Sequence, residues 1–274
     1  MSKALHCAAV NGHKDATELL LMHGARPIYK ECGKRYFCLL CTMIERRKVD
    51  IVKLLIIYNK IQSGCYQAPI FRVIDTFKDS DDGLNIVRLL LDIGISPNTI
   101  DTNNYMSVLG YACKYRCMNM VKLLIDRGAK VNIPVKYKTP LFCAAEGGSC
   151  EIGQLLIDKG AKIDAKFRSQ EPILYRAITT KDEAFAVMLI KNGAKVDILC
   201  KDSRTLIHNA IDWRQWSVVR LLIERGVDIA TYDYYKGATV LQRMIALTRD
   251  FHTYIDDPKA LMCKLLDARC VDSN

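Results

Sequence analysis

Lys122-Leu123-Leu124-Ile125-Asp126-Arg127-Gly128-Ala129-Lys130-Val131-Asn132 is the stretch on which the fold turns, because the chain repeats it. It returns as Gln154-Leu155-Leu156-Ile157-Asp158-Lys159-Gly160-Ala161-Lys162-Ile163-Asp164, and again as Met188-Leu189-Ile190-Lys191-Asn192-Gly193-Ala194-Lys195-Val196-Asp197. A fourth copy reads Leu221-Leu222-Ile223-Glu224-Arg225-Gly226-Val227-Asp228. Looser copies end at Gly24, Asn59 and Gly94, and a degenerate one, Lys264-Leu265-Leu266-Asp267-Ala268-Arg269, lies near the end of the chain. From Gly24 to Gly226 the anchors are 35, 35, 34, 32, 33 and 33 residues apart. Self-similarity at such a period marks a stack of small repeated units, none of which can bury its apolar face alone.

A second phrase precedes each anchor. Its clearest form is Thr139-Pro140-Leu141-Phe142-Cys143-Ala144-Ala145-Glu146-Gly147-Gly148, with related forms at Ala4 to His13 and Thr205 to Ala210. Thr139 suits a helix N-cap, and Pro140 suits the first helical position, where no backbone donor is needed. Ala144 and Ala145 allow close packing, and Gly147-Gly148 breaks the helix. A second helix then carries Ile152, Leu155 and Leu156 at helical spacing. Gly160 ends it, because glycine alone takes the left-handed terminal conformation without steric cost.

Two phrases in fixed register near a period of 33 resemble the ankyrin repeat, over essentially the whole chain. The resemblance implies an all-α ankyrin-repeat solenoid of about eight helix–turn–helix repeats joined by hairpin-like tips. It would form a single domain, 1–274, with repeats near 1–30, 31–64, 65–98, 99–132, 133–164, 165–197, 198–230 and 231–274. Repeat two lacks the Thr-Pro start and carries Asn59 for the terminal glycine. Repeat three reads as having an acidic insertion, residues 78–83, between its helices, and the last repeat has extra residues at 251–257. The most regular copies, 107–230, are expected to be the stable middle. Met1 falls inside a first-helix phrase, so Leu5, Ala8 and Ala9 are expected near an open end, covered by another segment or exposed by truncation.

The 274 residues are half apolar and carry a formal charge of +10. That is enough apolar content for a large core, and it excludes an intrinsically disordered chain. Apolar runs are short, and neither a signal peptide nor a lipidation motif is evident, so a soluble cytoplasmic protein is expected, with the nucleus left open. Twelve cysteines are scattered. Cys7, Cys113 and Cys143 sit where small buried residues are wanted. Cys38 and Cys41 form a C-x-x-C without a second pair, and Cys113 and Cys117 are spaced one helical turn apart. Reduced, packed thiols are the expected state.

Signs of catalysis are lacking. Of five histidines, the ankyrin resemblance gives His6 and His208 a structural role, bonding the neighbouring turn, and His13 a helix-start position. No phosphate-binding loop, nucleophile elbow, zinc motif or dinucleotide fingerprint is present. The expectation is a protein that is not an enzyme and needs no cofactor or metal.

The tips between repeats are both basic and aromatic. We take Tyr36, Tyr105, Lys136, Tyr137, Phe167, Arg168, Arg204, Tyr234, Tyr235 and Lys236 as candidate partner-binding residues, since aromatic and arginine side chains dominate interface energetics. Lysines also recur on helix surfaces, as at Lys53 and Lys122, and such dispersed charge suits an acidic protein partner better than a nucleic acid. The family implies a protein-interaction scaffold or adaptor, or an inhibitor sequestering one cellular signalling protein; a nucleic-acid binder is the weaker alternative. The Ile-, Lys- and Tyr-rich wording with irregular insertions is similar to ankyrin proteins of poxviruses, and so implies a host-interaction role. Many of those carry a carboxy-terminal F-box-like segment, which is not found up to Asn274. Small-molecule substrates and membranes are not expected partners.

Overall fold

The structure, a computed structural model, describes residues 1–26, 31–32, 35–36, 38–58, 69–101, 103, 105–133, 138–164, 172–198, 204–233, 237–240 and 242–244. It divides into two compact units, Met1–Ala161 and Lys162–Asn274. The first holds five helix pairs: α1 (Ser2–Asn11) and α2 (Lys14–Met22), α3 (Leu39–Glu45) and α4 (Val49–Ile57), α5 (Pro69–Phe77) and α6 (Asp81–Asp92), α7 (Val108–Lys114) and α8 (Met118–Asp126), and α9 (Pro140–Gly147) and α10 (Cys150–Asp158). The second holds α11 (Ile173–Thr179) with α12 (Glu183–Lys191), and α13 (Leu206–Asp212) with α14 (Trp216–Glu224). Seven helix pairs thus lie among the described residues, and most of the expected eighth repeat falls outside them.

Within each unit, each pair packs on itself and on the next pair. In the first unit the leading helices α1, α3, α5, α7 and α9 touch in sequence, and α2, α4, α6 and α8 form a parallel second row. In the second unit α11 meets α13 and α12 meets α14. The core lies between the rows. On α7, Val108, Leu109, Gly110, Tyr111, Ala112 and Cys113 are all buried. Burial of this kind contributes roughly 25 cal/mol per Å² of apolar surface. Leu5, Ala8 and Ala9, expected near an open end, are buried as well.

The punctuation read from the sequence is present. Thr139 Oγ1 accepts a bond from the Phe142 N–H at 3.1 Å, with Pro140 as first helical residue. Gly160 takes φ +84°, and Gly24, Gly94, Gly128, Gly193 and Gly226 share its left-handed conformation at the ends of second helices. The turn closing each first helix differs. Gly12 and Gly148 hold positive φ there, but so do Arg47, Lys78, Arg116, Lys181 and Arg214, at φ between 51° and 62°. Positive φ is uncommon outside glycine, and for long side chains it carries strain.

Three details correct the sequence reading. The acidic run 78–83 is no loose insertion. Sixteen residues separate Lys78 from Gly94, whereas twelve separate Arg116 from Gly128. Three of the four extra residues lengthen the start of α6 to twelve residues against nine in α8, and the fourth joins the turn before the Ser80 cap. Three residues are close to one helical turn. Cys113 and Cys117 do not share a helix: Cys113 lies in α7, Cys117 caps α8, and Arg116 turns the chain between them. Cys7 is exposed, as is His6. His208, by contrast, is buried with Nδ1 2.8 Å from Thr205 Oγ1. Lys3 stands where Thr205 stands relative to His208, so His6 lacks that hydroxyl.

Short antiparallel strand pairs occur at three tips: β1 (Glu31–Cys32) with β2 (Arg35–Tyr36), β3 (Ile100–Asp101) with β4 (Met106–Ser107), and β5 (Tyr232–Asp233) with β6 (Ala238–Thr239). They leave the fold all-α in its core. Among the described residues, no helix is long and apolar enough to cross a membrane.

Candidate functional site

The most fully described tip is the β3–β4 hairpin, in which Ile100 faces Ser107 and Asp101 faces Met106. Its base is anchored. Asp101, 3% exposed, accepts a bond from the Asn103 N–H at 2.9 Å, a side-chain turn that sets the loop. Ser107 Oγ accepts from the Gly110 N–H at 3.0 Å and so caps α7 directly from the hairpin. Met106 is buried beneath. On this base stand two exposed large side chains, Ile100 and Tyr105, 40% and 42% accessible. Tyr105 is held at φ 49°, so its ring is displayed by a strained backbone.

The β5–β6 tip repeats the arrangement. Tyr232 pairs with Thr239 and is 47% exposed. Thr239 Oγ1 accepts from the Gln242 N–H while Gln242 Oε1 accepts from the Thr239 N–H, a reciprocal capping box that ties the hairpin to the segment after it. Ile100 and Tyr232 each lie six residues after a terminating glycine, Gly94 and Gly226. Tyr232 belongs to an aromatic tip legible in the sequence and Ile100 does not, and neither was a candidate there, because register alone does not say which tip side chain faces solvent.

Of the other residues read as candidates, Arg204 is described and has an internal task. Its side chain is 10% exposed; Nη2 lies 2.7 Å from Asp212 Oδ2, and Arg243 binds the other oxygen of Asp212 at 2.9 Å. Tyr36 belongs to β2, with its side chain outside the described residues. Lys136, Tyr137, Phe167, Arg168, Tyr234, Tyr235 and Lys236 also lie outside them.

Polar residues with a regular task went unremarked in the sequence. At three places an Asn or Asp four residues after a terminating glycine reaches the next repeat. Asn98 Nδ2 donates to the Gly128 carbonyl at 3.2 Å and its Oδ1 accepts from the Lys130 N–H at 2.8 Å. Asn132 Nδ2 donates to the Gly160 carbonyl at 2.8 Å. In the second unit, Asp164 Oδ1 accepts from the Lys195 N–H. Their spacing matches the repeat, which was the available signal. Asp79 works at the other edge: its carboxylate accepts from the Asn119 and Met120 N–H groups at 2.9 and 2.8 Å, at the start of α8.

Among the described residues no group of three or more His, Cys, Asp or Glu could hold a metal ion. The thiols are raised away from reactivity: burial pushes Cys143 up to about 12 and Cys117 to about 11, and raises Cys113 well above its usual value. Burial likewise raises the Tyr111 phenol, whose ring packs edge-on to Phe71. The grooves described are shallow. One of 240 Å³ is lined by Val196, Ile198, Thr205, Val227 and Thr231 with Asp197 and Asp228. Among the described residues this arrangement brings together no catalytic set.

Comparison with known proteins agrees with this geometry. A family model for ankyrin repeats in three copies matches residues 78–167, and a single ankyrin-repeat model matches residues 4–31. An ankyrin repeat protein of fowlpox virus, strain NVSL, is 26% identical over 149 residues. That match spans 54% of this chain and 25% of the viral protein, so the chain accounts for about a quarter of its relative's length. Among solved structures, the ankyrin repeat domain of Bcl-3, described as a unique member of the IkappaB protein family, superposes with a TM-score of 0.55. It shares 22% identity, over 88% of this chain and 92% of that domain.

Proposed function

We propose that this chain, built of ankyrin repeats, serves as a protein-interaction scaffold that grips a partner along its repeat tips. One observation carries the reading. The β3–β4 hairpin is anchored from below by Asp101, Met106 and Ser107, and it presents Ile100 and Tyr105 to solvent. Ordered, exposed aromatic and aliphatic side chains lose little entropy on binding, which is what an interface anchor requires. The scaffold works without catalysis, in keeping with the family. Lys136, Tyr137, Phe167, Arg168, Tyr234, Tyr235 and Lys236, which the sequence register assigns to further tips, are proposed as additional contacts, and with a formal charge of +10 the preferred partner is an acidic protein.

The similarity to a fowlpox virus protein supports a host-interaction role inside the infected cell. Within it, an adaptor joining two proteins and an inhibitor occupying one remain separate readings. Affinity capture from a cell lysate at physiological salt tests both. Wild-type protein should retain a partner that Tyr105→Asn with Ile100→Ser loses, while the melting temperature stays within a few degrees. Two partners bound at once identify an adaptor, and one identifies an inhibitor. Equal capture by wild type and tip variant would refute the tip surface.

A further inference from the structure

We infer that the turns between paired helices in repeats two to four form a second surface, a cationic edge that docks an acidic segment of a partner protein. The edge is separate from the tip surface and does not depend on it. At this turn Gly12 and Gly148 take positive φ without strain, yet Arg47, Lys78 and Arg116 occupy the equivalent place at φ 55°, 51° and 60°. All three are exposed. Their long side chains therefore gain little burial to offset a conformation that L residues rarely adopt. Arg46 and Lys48 flank the first of them and Lys114 the third.

The three turns are held side by side. Arg47 Nη2 donates to the Thr76 carbonyl at 2.7 Å, and its guanidinium lies 5.6 Å from the centre of the Phe77 ring, so turn two abuts turn three. The Asp79 carboxylate binds the N–H groups of Asn119 and Met120, so turn three abuts turn four. A structural explanation serves for Arg47, whose bond to the next repeat is worth some strain. It does not serve for Lys78 and Arg116, whose side chains make no hydrogen bond or ion pair among the described residues. What they add at this place is exposed positive charge.

The edge also selects its occupant. Packed helices lie about 8–10 Å apart, so three rungs span roughly 20 Å. An extended chain covers that in about six residues at ~3.3 Å each. Carboxylates on the same side are Glu45, which Arg72 engages, Asp79, spent on the α8 N–H groups, and the exposed Asp50, Asp75, Asp81 and Asp82. Cations outnumber the uncommitted acids, most clearly around turn two. A single-stranded nucleic acid would want open ring faces for its bases. Here Phe77 is 7% exposed beneath Arg47, and Tyr115 packs against Tyr111 at 4.9 Å. Carboxylates presented by a peptide need only the charge.

The test is a titration with a fluorescein-labelled 12-residue peptide alternating Glu and Ser, at about 150 mM salt, where exposed charges interact over about 8 Å. Arg47→Asn/Lys78→Asn/Arg116→Asn should weaken binding about tenfold, three exposed pairs near the middle of their usual worth. Asparagine is chosen because it accepts the left-handed conformation. Lys78→Asn/Arg116→Asn leaves the Arg47 bond intact and should weaken binding about threefold, even if the triple variant folds poorly. Lys122→Asn/Lys130→Asn/Lys159→Asn removes equal charge elsewhere and should change affinity less than about twofold. The tip variant Tyr105→Asn should bind the peptide as wild type does, so failure of the edge and failure of the tips read out separately. The inference is overturned if the peptide does not bind wild type, if the control charges matter as much as the edge, if Tyr105→Asn abolishes peptide binding, or if a 12-residue oligothymidine binds more tightly than the peptide.

Discussion

Gly160 sits at φ +84°, and a Cβ placed on it would meet nothing within 4 Å. Any cost of a side chain there is therefore backbone strain alone. Gly160→Val should lose about 1–3 kcal/mol, seen as a lower denaturation midpoint; an unchanged midpoint would contradict its role as helix terminator. Gly147 is the opposite case. Its φ is ordinary, but a Cβ would stand 2.7 Å from the Lys114 carbonyl oxygen and 3.0 Å from that of Cys113. Gly147→Ala should cost about 1–3 kcal/mol through overpacking between α7 and α9, whereas Ala is otherwise the better helix residue. Thiols act at the same scale. Burial raises Cys143 to about 12 and Cys117 to about 11, against 9 in an accessible thiol. The sign follows: above pH 9 the unfolded chain releases protons that the folded chain keeps, so stability is full below pH 9 and falls as pH rises toward 11 and 12. Melting temperatures from pH 8 to pH 11 should decline, and Cys117→Ala with Cys143→Ala should flatten the decline. A slope that the double variant leaves unaltered would place the cause elsewhere.

At the scale of elements, helix ends in one repeat are completed by side chains of another. Asp79 supplies a charged acceptor to two N–H groups at the start of α8, where the helix dipole favours an anion. Asp79→Ala should cost about 1–2 kcal/mol, and Asp79→Asn, which keeps an acceptor and loses the charge, should cost less. Asn98 bonds both the Gly128 carbonyl and the Lys130 N–H. At about 1 kcal/mol for each bond, Asn98→Ala should lower stability by about 2 kcal/mol in urea denaturation. An unchanged midpoint would show that these exposed bonds contribute nothing measurable. The lengthened α6 belongs here too: its extra turn brings Ser80 and Asp79 into capping positions, so an apparent irregularity of sequence becomes a stabilising element.

For the whole molecule, stability should be uneven along the array, since each repeat leans on its neighbours. Every residue of α7 from Val108 to Cys113 is buried, whereas α1 buries only Leu5, Ala8 and Ala9. Amide exchange should therefore be slowest in α7 and α9 and faster in α1 and α2. Equal protection across these helices would mean that the first unit opens as one block. The sequence reading placed residues 78–83 among the labile segments; Asp81–Gly83 instead form the first turn of α6, so amides from Leu84 onward should share the protection of the helix.

The helix pairs were legible without coordinates. The period of about 33 and the paired phrases determined them, because apolar spacing, Thr139-Pro140 and Gly160 act locally, within a turn or two of chain. Of the tip residues offered by composition, Tyr105 is exposed. Tertiary structure decided the rest, because exposure and pairing depend on what a neighbouring repeat brings close. Arg204 reads as a tip cation until Asp212 and Arg243 surround it. Ile100 and Tyr232 become candidates only once their exposure is seen. The strained cations at Arg47, Lys78 and Arg116 could not be read from the sequence, since φ is a property of the folded turn. What the chain specifies locally is the repeat; which side chains face a partner is settled by how the repeats stack, through contacts some thirty residues apart.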